Sequence, residues 1–219
     1  LAQWLEALRA NQDLVFDVNE QTLSNLTQGN GVDWCCENAQ HTEGVFLADT
    51  YFFTKGTKAS DVLKRAHRAL ITFVSQEWEK RAEDLPLSSP YDALILASII
   101  EKETAVPKER DMIAGVFINR LNKNMRLQTD PTVIYGIGSE FDGNITRKHL
   151  RTATPYNTYV IKGLPPTPIA MAGKAAIHAA LHPLATDALY FVAKGDGSHQ
   201  FSNTLKAHNA AVRKYQLKR

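Results

Sequence analysis

The sequence contains few cysteines and has almost no net charge, and each of these features excludes a class of protein. Its two cysteines, Cys35 and Cys36, are adjacent, so they can form a strained vicinal bridge or stay as thiols but cannot link distant segments. The seven histidines lack the short Cys/His spacings of zinc sites, so no metal site is predicted. The 25 Lys and Arg and the 23 Asp and Glu leave a net charge of +2, too little to attract nucleic acid or anionic lipid strongly.

Long apolar runs are also missing. A membrane span needs roughly 18 to 20 apolar residues, whereas the longest run, LILASII at residues 94–100, is interrupted by Ser98. The 44% of apolar residues still suffice for a large core. The chain starts with LAQWLEALRANQ, which is typical of a helix interior, so we expect the natural protein to start earlier and any anchor to precede Leu1.

The pattern along the chain predicts an α+β fold. A polar stretch at 28–43 indicates a domain boundary. Beyond residue 124, β-forming residues alternate with Gly and Pro, which predicts short strands and loops, including RLQTDPTVIYG, with GDG at 195–197 as a hairpin turn. No regular alternation of strands and helices indicates a doubly wound sheet. Apolar positions recur at helical spacing over residues 1–10, 60–82, 92–105, 107–122, 172–181 and 203–217.

The segment LILASIIEKETAV, residues 94–106, carries two glutamates one residue apart on a predicted helix. Side chains two positions apart diverge by about 200° around a helix, so Glu101 and Glu103 are poorly placed to act as a carboxylate pair. Glu103 continues an apolar stripe with Ile99 and Ile100, which should disfavour its charged form and raise its pKa. Such an acid can protonate the leaving oxygen of a glycosidic bond.

A purely structural role for Glu103 stays open. A glutamate at a helix end commonly pairs with a nearby cation, and Lys108 and Arg120 are available. Four histidines later in the chain are expected to be structural or surface residues: His178, His182, His199 and His208.

Three polar residues before Pro131 are candidates for the same site. We expect Pro131 to prevent helix formation and to hold Gln128, Thr129 and Asp130 on a fixed loop. There they could bind sugar hydroxyls or orient Glu103.

Two further groups could contact a saccharide. Tyr156, Asn157 and Tyr159 combine flat apolar faces with hydrogen-bonding groups, as a sugar cleft requires. Asn119 and Arg120, near the end of the helix after Glu103, could orient the acid or make only local contacts.

The chain contains four ordered blocks, ASIIEKETAVPKERDMIAGVFINRL, RLQTDPTVIYG, YNTY and GLPPTPIA, and over roughly residues 43–210 it resembles the endolytic murein transglycosylases, also called the MltG or YceG-like family. The catalytic acid/base of that family is a glutamate of the E-K-E-T block, which implies Glu103, the one followed by Thr104. Glu-Thr is also similar to the Glu-Ser pair of lysozyme-like lytic transglycosylases. The resemblance thus implies a lysozyme-like cleft on a helical core with a small antiparallel β portion.

The implied reaction is non-hydrolytic cleavage of the β-1,4 bond between N-acetylmuramic acid and N-acetylglucosamine in peptidoglycan. Glu103 would protonate the glycosidic oxygen and then accept the proton of the muramic acid 6-hydroxyl as it closes on C1 to form a 1,6-anhydro end. One carboxylate can serve both steps because the nucleophile belongs to the substrate. No cofactor is implied, and cuts are expected inside nascent strands.

The resemblance also implies an organisation and a location. Residues 1–42 would be the remnant of a LysM-like accessory module with its connector, and residues 43–219 the catalytic domain. The family is tethered to the bacterial inner membrane by one N-terminal helix, with the catalytic domain in the periplasm. Its partners would be peptidoglycan strands and peptidoglycan synthases, but not nucleic acid.

Two other functions stay open. A non-catalytic peptidoglycan-binding module would keep the polar surface and tolerate replacement of Glu103. A pyridoxal-phosphate lyase could use Lys102 or Lys108 as its Schiff-base lysine, although no Gly-rich phosphate loop is evident.

Overall fold

A computed structural model describes residues 1–27, 34–35 and 42–217 of the chain. The helices in these ranges are α1 (Ala2–Ala10), α2 (Glu20–Thr27), α3 (Ala59–Glu79), α4 (Pro90–Glu103), α5 (Arg110–Asn122), α6 (Asp130–Ile137), α7 (Arg147–Arg151), α8 (Lys174–Leu181) and α9 (Leu205–Tyr215). The strands are β1 (Leu14–Val15), β2 (Thr57–Lys58), β3 (Tyr190–Ala193) and β4 (His199–Ser202). The predicted α+β class is confirmed. None of these helices is both long and apolar enough to cross a lipid bilayer.

Helix α4 is the centre of the main core. It begins where the Ser89 hydroxyl accepts a hydrogen bond from the Asp92 N–H (3.2 Å) and where Pro90 occupies the first turn, a position that suits proline. All residues from Ala93 to Ile100 are buried, because α3, α5, α6 and α8 pack around the helix. The chain leaves the helix after Glu103, so this carboxylate lies where a buried helix reaches the edge of the core.

The N-terminal segment packs on α3 through a second apolar cluster. Leu23 of α2, Phe46 and Leu63 of α3 lie in this cluster, together with Cys35. Cys36 and most of the polar stretch 28–43 lie outside the described residues. The domain boundary after residue 42 therefore stays a prediction.

The β structure consists of two small sheets. Strands β1 and β2 pair in parallel, with Leu14 opposite Thr57. Strands β3 and β4 form an antiparallel hairpin, with Phe191 opposite Phe201, so the predicted turn at GDG is confirmed. This hairpin packs against α5 and α9.

Two local predictions were wrong. Residues 130–137, expected to be strand and loop, form α6, because Pro131 lies in the first turn of a helix, where its missing N–H and fixed φ are tolerated. Residues 155–172 lie in the part beyond residue 124 where short strands and loops are predicted, but they contain no strand and consist of turns, bends and irregular segments. Helix α3, predicted from residue 60, begins at Ala59, and Ser60 in its first turn donates its hydroxyl to Asp17 (2.7 Å).

Candidate active site

Glu103 lies in a cleft of about 490 Å³, which we call the Glu103 cleft. One wall consists of the loop before α6 and the start of that helix. The other consists of the β3–β4 hairpin and α9. Its polar and aromatic lining includes Glu103, Arg120, Gln128, Asp130, Tyr159, Tyr190, His199 and His208.

The Glu103 carboxyl is the perturbed acid of this cleft. Burial, the largest effect, raises its pKa above the ordinary value, and the charge of Asp130 acts in the same direction. The hydroxyl of Thr129 and the more distant His199 and Arg120 oppose this shift. Because burial prevails, Glu103 keeps its proton to a higher pH than an exposed glutamate does.

Thr129 fixes the orientation of Glu103. Its hydroxyl donates a hydrogen bond to Oε1 of the carboxylate. Thr129 is buried, its own N–H donates to Oγ1 of Thr158 (3.1 Å), and its carbonyl accepts from the hydroxyl of Thr132 (2.8 Å). Hydrogen bonds to both its N–H and its carbonyl therefore hold Thr129, the residue that donates to Glu103, in place.

Asp130 and Gln128 line the cleft beside this contact. Asp130 accepts a hydrogen bond at Oδ1 from the Tyr159 hydroxyl (2.6 Å), and burial, followed by this bond, raises the pKa of Tyr159. Gln128 has a φ of +52°, in the left-handed region, and its N–H donates to the carbonyl of Thr158 (3.1 Å). Both side chains thus face the space above Glu103 on a fixed backbone.

Arg120 of α5 connects the two walls. Its buried guanidinium donates to the carbonyls of Leu127 (2.8 Å) and Arg126 (3.1 Å) in the loop before α6, and to the carbonyl of Leu189 (2.6 Å) before β3. The fork of Arg suits several acceptors at once better than the ammonium group of lysine. Arg120 therefore sets the distance between the walls.

His199 and His208 lie in the cleft lining, although the sequence predicted ordinary structural or surface roles. His199 starts β4, and its Nδ1 lies 2.7 Å from Oε2 of Glu109. The other carboxylate oxygen of Glu109, Oε1, accepts the backbone N–H of His199 (3.0 Å). His208 of α9 stacks on Tyr190, with ring centroids 5.2 Å apart. The position of His199 directly after the predicted hairpin turn was the sequence signal that could have indicated its place at the rim.

Three residues that the sequence suggested for substrate contact lie outside the Glu103 cleft. Asn119 uses its amide to donate to the carbonyls of Thr186 (2.6 Å) and Ala188 (3.0 Å). Asn157 is buried and donates to backbone carbonyls at 149 and 152, and the hydroxyl of Tyr156 bonds to that of Thr167 (2.8 Å). These contacts support the walls from behind.

Glu101 lies on the other side of α4. Its Oε2 accepts the N–H of Gly173 (3.0 Å), the residue that precedes α8. One turn earlier, the buried Ser98 hydroxyl accepts the N–H of Ile169 (2.9 Å). The side of the helix opposite Glu103 therefore holds the segment that leads into α8.

A larger depression, of about 640 Å³, lies between α9, β4 and residues 186–188. Its ionisable residues are Asp187, Lys214 and Tyr215, and Glu103 does not line it. Lys102 and Lys108 are exposed and line neither space. We therefore place the candidate active site in the smaller cleft, which contains the acid with the raised pKa.

Comparison with known proteins identifies the family of the chain. The sequence matches the YceG-like family over residues 1–214. It is 42% identical over 181 residues to the endolytic murein transglycosylase of Bacillus subtilis. The aligned region covers 82% of this chain and 49% of that protein. It is 29% identical over 177 residues to the endolytic murein transglycosylase of Streptococcus pneumoniae. The aligned region covers 78% of this chain and 31% of that protein.

Among solved structures, a YceG-like protein from Listeria monocytogenes superposes with a TM-score of 0.67 at 36% sequence identity. The match covers 95% of this chain and 62% of that chain. The chain thus spans half or less of the length of these two curated relatives (49% and 31%).

Proposed function

The chain belongs to the YceG-like family, and we propose that it forms the catalytic part of a peptidoglycan lytic transglycosylase with Glu103 as its acid and base. The observation that carries this proposal is a single one. A carboxyl group whose pKa is raised by burial lies in an open cleft and is oriented by a hydroxyl donor. That is the state a general acid needs when it acts near neutral pH.

The proposed substrate bond is the β-1,4 link from N-acetylmuramic acid to N-acetylglucosamine. Protonated Glu103 transfers its proton to the glycosidic oxygen, and the bond from that oxygen to C1 breaks. The Glu103 carboxylate then accepts the proton of the 6-hydroxyl while the oxygen of that hydroxyl bonds to C1. The products are a free 4-hydroxyl and a 1,6-anhydro end, no water is consumed, and Glu103 is protonated again.

The neighbours of Glu103 have complementary roles in this scheme. Thr129 keeps the carboxyl pointing at the cleft, and Asp130 favours the protonated form before the first transfer. Arg120 favours the carboxylate that exists between the two transfers. A second catalytic carboxylate is not required, because the sugar supplies the nucleophile.

Sugar binding is proposed for the polar residues that line the cleft. Gln128 and Asp130 offer an amide and a carboxylate to hydroxyl groups, and Tyr190 offers a flat face. Asn119, Tyr156 and Asn157 act behind the walls in this proposal, because their polar groups are already occupied by the protein.

The wider biology follows the family resemblance. We propose internal cuts that limit strand length, action on the periplasmic side of the bacterial inner membrane, and association with peptidoglycan synthases. The division into a LysM-like remnant before residue 43 and a lysozyme-like cleft after it stays part of this proposal.

A non-catalytic glycan-binding module is the competing function. It requires the same polar lining but gives no reason for an oriented acid with a raised pKa. Incubation of the chain with purified, uncrosslinked glycan strands, followed by mass spectrometry, separates the two. We expect strands of reduced length with 1,6-anhydro ends, each one water lighter than a hydrolysed end. Strands that are bound but stay intact would reject the enzyme assignment, and reducing ends without the anhydro bridge would reject the mechanism.

A further inference from the structure

Outside the Glu103 cleft, three side chains of two helices converge on one point. Glu77 lies near the end of α3, His178 lies in the last turn of α8, and His182 follows directly after Leu181, the last residue of that helix. Oε2 of Glu77 is 2.6 Å from Nδ1 of His178 and 3.3 Å from Nε2 of His182. The two imidazole rings stack with centroids 4.3 Å apart.

We propose that Glu77, His178 and His182 form a binding site for a divalent transition-metal ion of the Zn²⁺ class. Each residue offers one ligand atom, and all three atoms lie within 4.8 Å of one another. Two imidazoles and one carboxylate form a donor set that zinc uses in proteins, with a fourth position left to water. His178 and His182 are four positions apart across the end of α8, and their ligand atoms lie within 4.8 Å of each other, so they can bind the same ion.

Two of the three distances between ligand atoms are close to those of a tetrahedral site, and the third, between the imidazole ligand atoms, is at most 4.8 Å. Ligand atoms bound to zinc at about 2.0–2.2 Å lie about 3.4 Å apart. The 3.3 Å from Oε2 of Glu77 to Nε2 of His182 is already about this value. The 2.6 Å from the same oxygen to Nδ1 of His178 must grow by less than about 1 Å. The His178 side chain is 55% exposed and can make this movement, whereas Glu77, at 15%, is held in place.

The surroundings leave the carboxylate available. Lys174, one turn before His178 on α8, pairs with Asp49 (2.7 Å) rather than with Glu77. Sequence spacing did not indicate the site, because Glu77 is separated from His178 by 101 positions.

Metal binding here would clamp α3 to α8. Helix α8 packs on α4, the helix that ends at Glu103, so the clamp would stabilise the layer behind the active site. None of the three ligands lines the Glu103 cleft. The ion therefore takes no part in the chemistry proposed for Glu103, and this proposal does not depend on the proposed catalytic function.

The test uses the tag-free chain after treatment with a chelator and dialysis. Titration calorimetry with ZnCl₂ is expected to give one ion per chain, and MgCl₂ is expected to give none, because Mg²⁺ prefers oxygen ligands. With free Zn²⁺ about 100-fold above Kd, we expect the Tm to rise by roughly 5–10 °C. Absence of Zn²⁺ binding, or an equal response to Mg²⁺, would overturn the proposal.

Variants assign the ligands. His178→Ala, His182→Ala and Glu77→Gln should each abolish most of the Zn²⁺-dependent rise in Tm. Glu79→Gln, an exposed change on the same helix, and His149→Gln, a histidine elsewhere, should keep it. The metal-free Tm of each variant reports its folding. Binding that persists in His178→Ala and His182→Ala would move the ion to other groups and reject this site.

A spectroscopic measurement does not rely on stability. Co²⁺ added to the wild-type chain should give the visible absorption of a four-coordinate site, and His178→Ala should lose it. A spectrum typical of six-coordinate Co²⁺ in both proteins would contradict the proposed three protein ligands.

Discussion

Glu101 and Glu103 lie two positions apart at the end of α4, and their carboxylates contact opposite parts of the chain. Glu101 accepts the N–H of Gly173, while Glu103 accepts the hydroxyl of Thr129. One carboxylate therefore holds the fold behind the helix and the other faces the cleft. The same chemical change at the two positions should have very different effects.

Glu103→Gln removes the only proton that we assign to the reaction while keeping the shape of the side chain. General acid and base catalysis typically contributes roughly 10²- to 10⁴-fold, so we expect a decrease of that size in the release of anhydro-ended strands. Glu101→Gln is the matched control, because its amide oxygen can still accept the Gly173 N–H, and its activity should stay within about twofold of wild type. Equal losses in both variants would indicate a structural role for Glu103.

The stability of Glu103→Gln should depend on pH relative to the wild type. The pKa of Glu103 is raised in the folded chain, so as pH increases the unfolded state releases this proton first and is favoured. Below the unfolded pKa, both states carry the neutral acid and the two proteins should differ little. As pH rises through the folded pKa, the free energy of unfolding of the wild type should fall behind that of the variant. Urea denaturation at pH 4 and pH 8 measures this difference, and a constant difference would contradict the raised pKa.

Thr129→Val keeps the size of a buried side chain but removes the donor to Glu103. The hydroxyl favours the carboxylate form, so its loss should raise the pKa of Glu103 further and move the alkaline limb of the pH–rate profile to higher pH. The lost orientation should reduce the rate by about tenfold, as expected for one hydrogen bond. Thr129→Ser, which restores a hydroxyl, should recover most of the rate and the original limb.

Asp130→Asn should shift the same limb in the opposite direction. The charge of Asp130 raises the pKa of Glu103, so its removal lowers that pKa and moves the alkaline limb to lower pH. The Tyr159 hydroxyl can still donate to the amide oxygen, which preserves the local structure. Asp142→Asn, an exposed carboxylate outside the cleft, should leave the profile unchanged. A shift of equal size in both variants would mean that the net charge of the protein, rather than the nearby charge of Asp130, determines the pKa of Glu103.

Arg120→Lys tests the connection between the walls. Lysine cannot bond the three carbonyls that the guanidinium reaches, and each unpaired buried acceptor is costly. We expect the free energy of unfolding to decrease by about 2 kcal/mol or more. Arg126→Lys, at an exposed position in the adjacent loop, should change it by less than about 0.5 kcal/mol. Urea midpoints for the two variants decide the matter, and identical midpoints would remove Arg120 from this role.

Much of the architecture could be predicted from local sequence. The apolar run of α4 and the Gly-rich turn between β3 and β4 are signals within a few residues, and both elements were found. Helix α6 was missed because Pro131 was interpreted as a helix breaker, although proline is favoured in a first turn. The divergence of Glu101 and Glu103 followed from helix geometry alone.

The composition of the cleft could not be predicted in the same way. Thr129 is 26 positions from Glu103, and His199 is 90 positions from Glu109, and no local pattern indicates such contacts. Asn119 and Asn157 show the converse, since amides that looked available for sugars are used by backbone carbonyls. Only the packing of β3 against α5, and of α9 against the hairpin, brings the second wall to the acid.

The burial of α4 has a consequence for motion. Its eight residues from Ala93 to Ile100 are all enclosed, so their amide hydrogens should exchange with solvent only when the whole core opens. In α9, on the facing side, Ala211 is the one buried residue, and this helix can yield at small cost. Helix α4 therefore presents Glu103 to the cleft from a rigid core, whereas the wall that contains α9 can adjust, which in the proposed function lets the cleft fit strands of different shape.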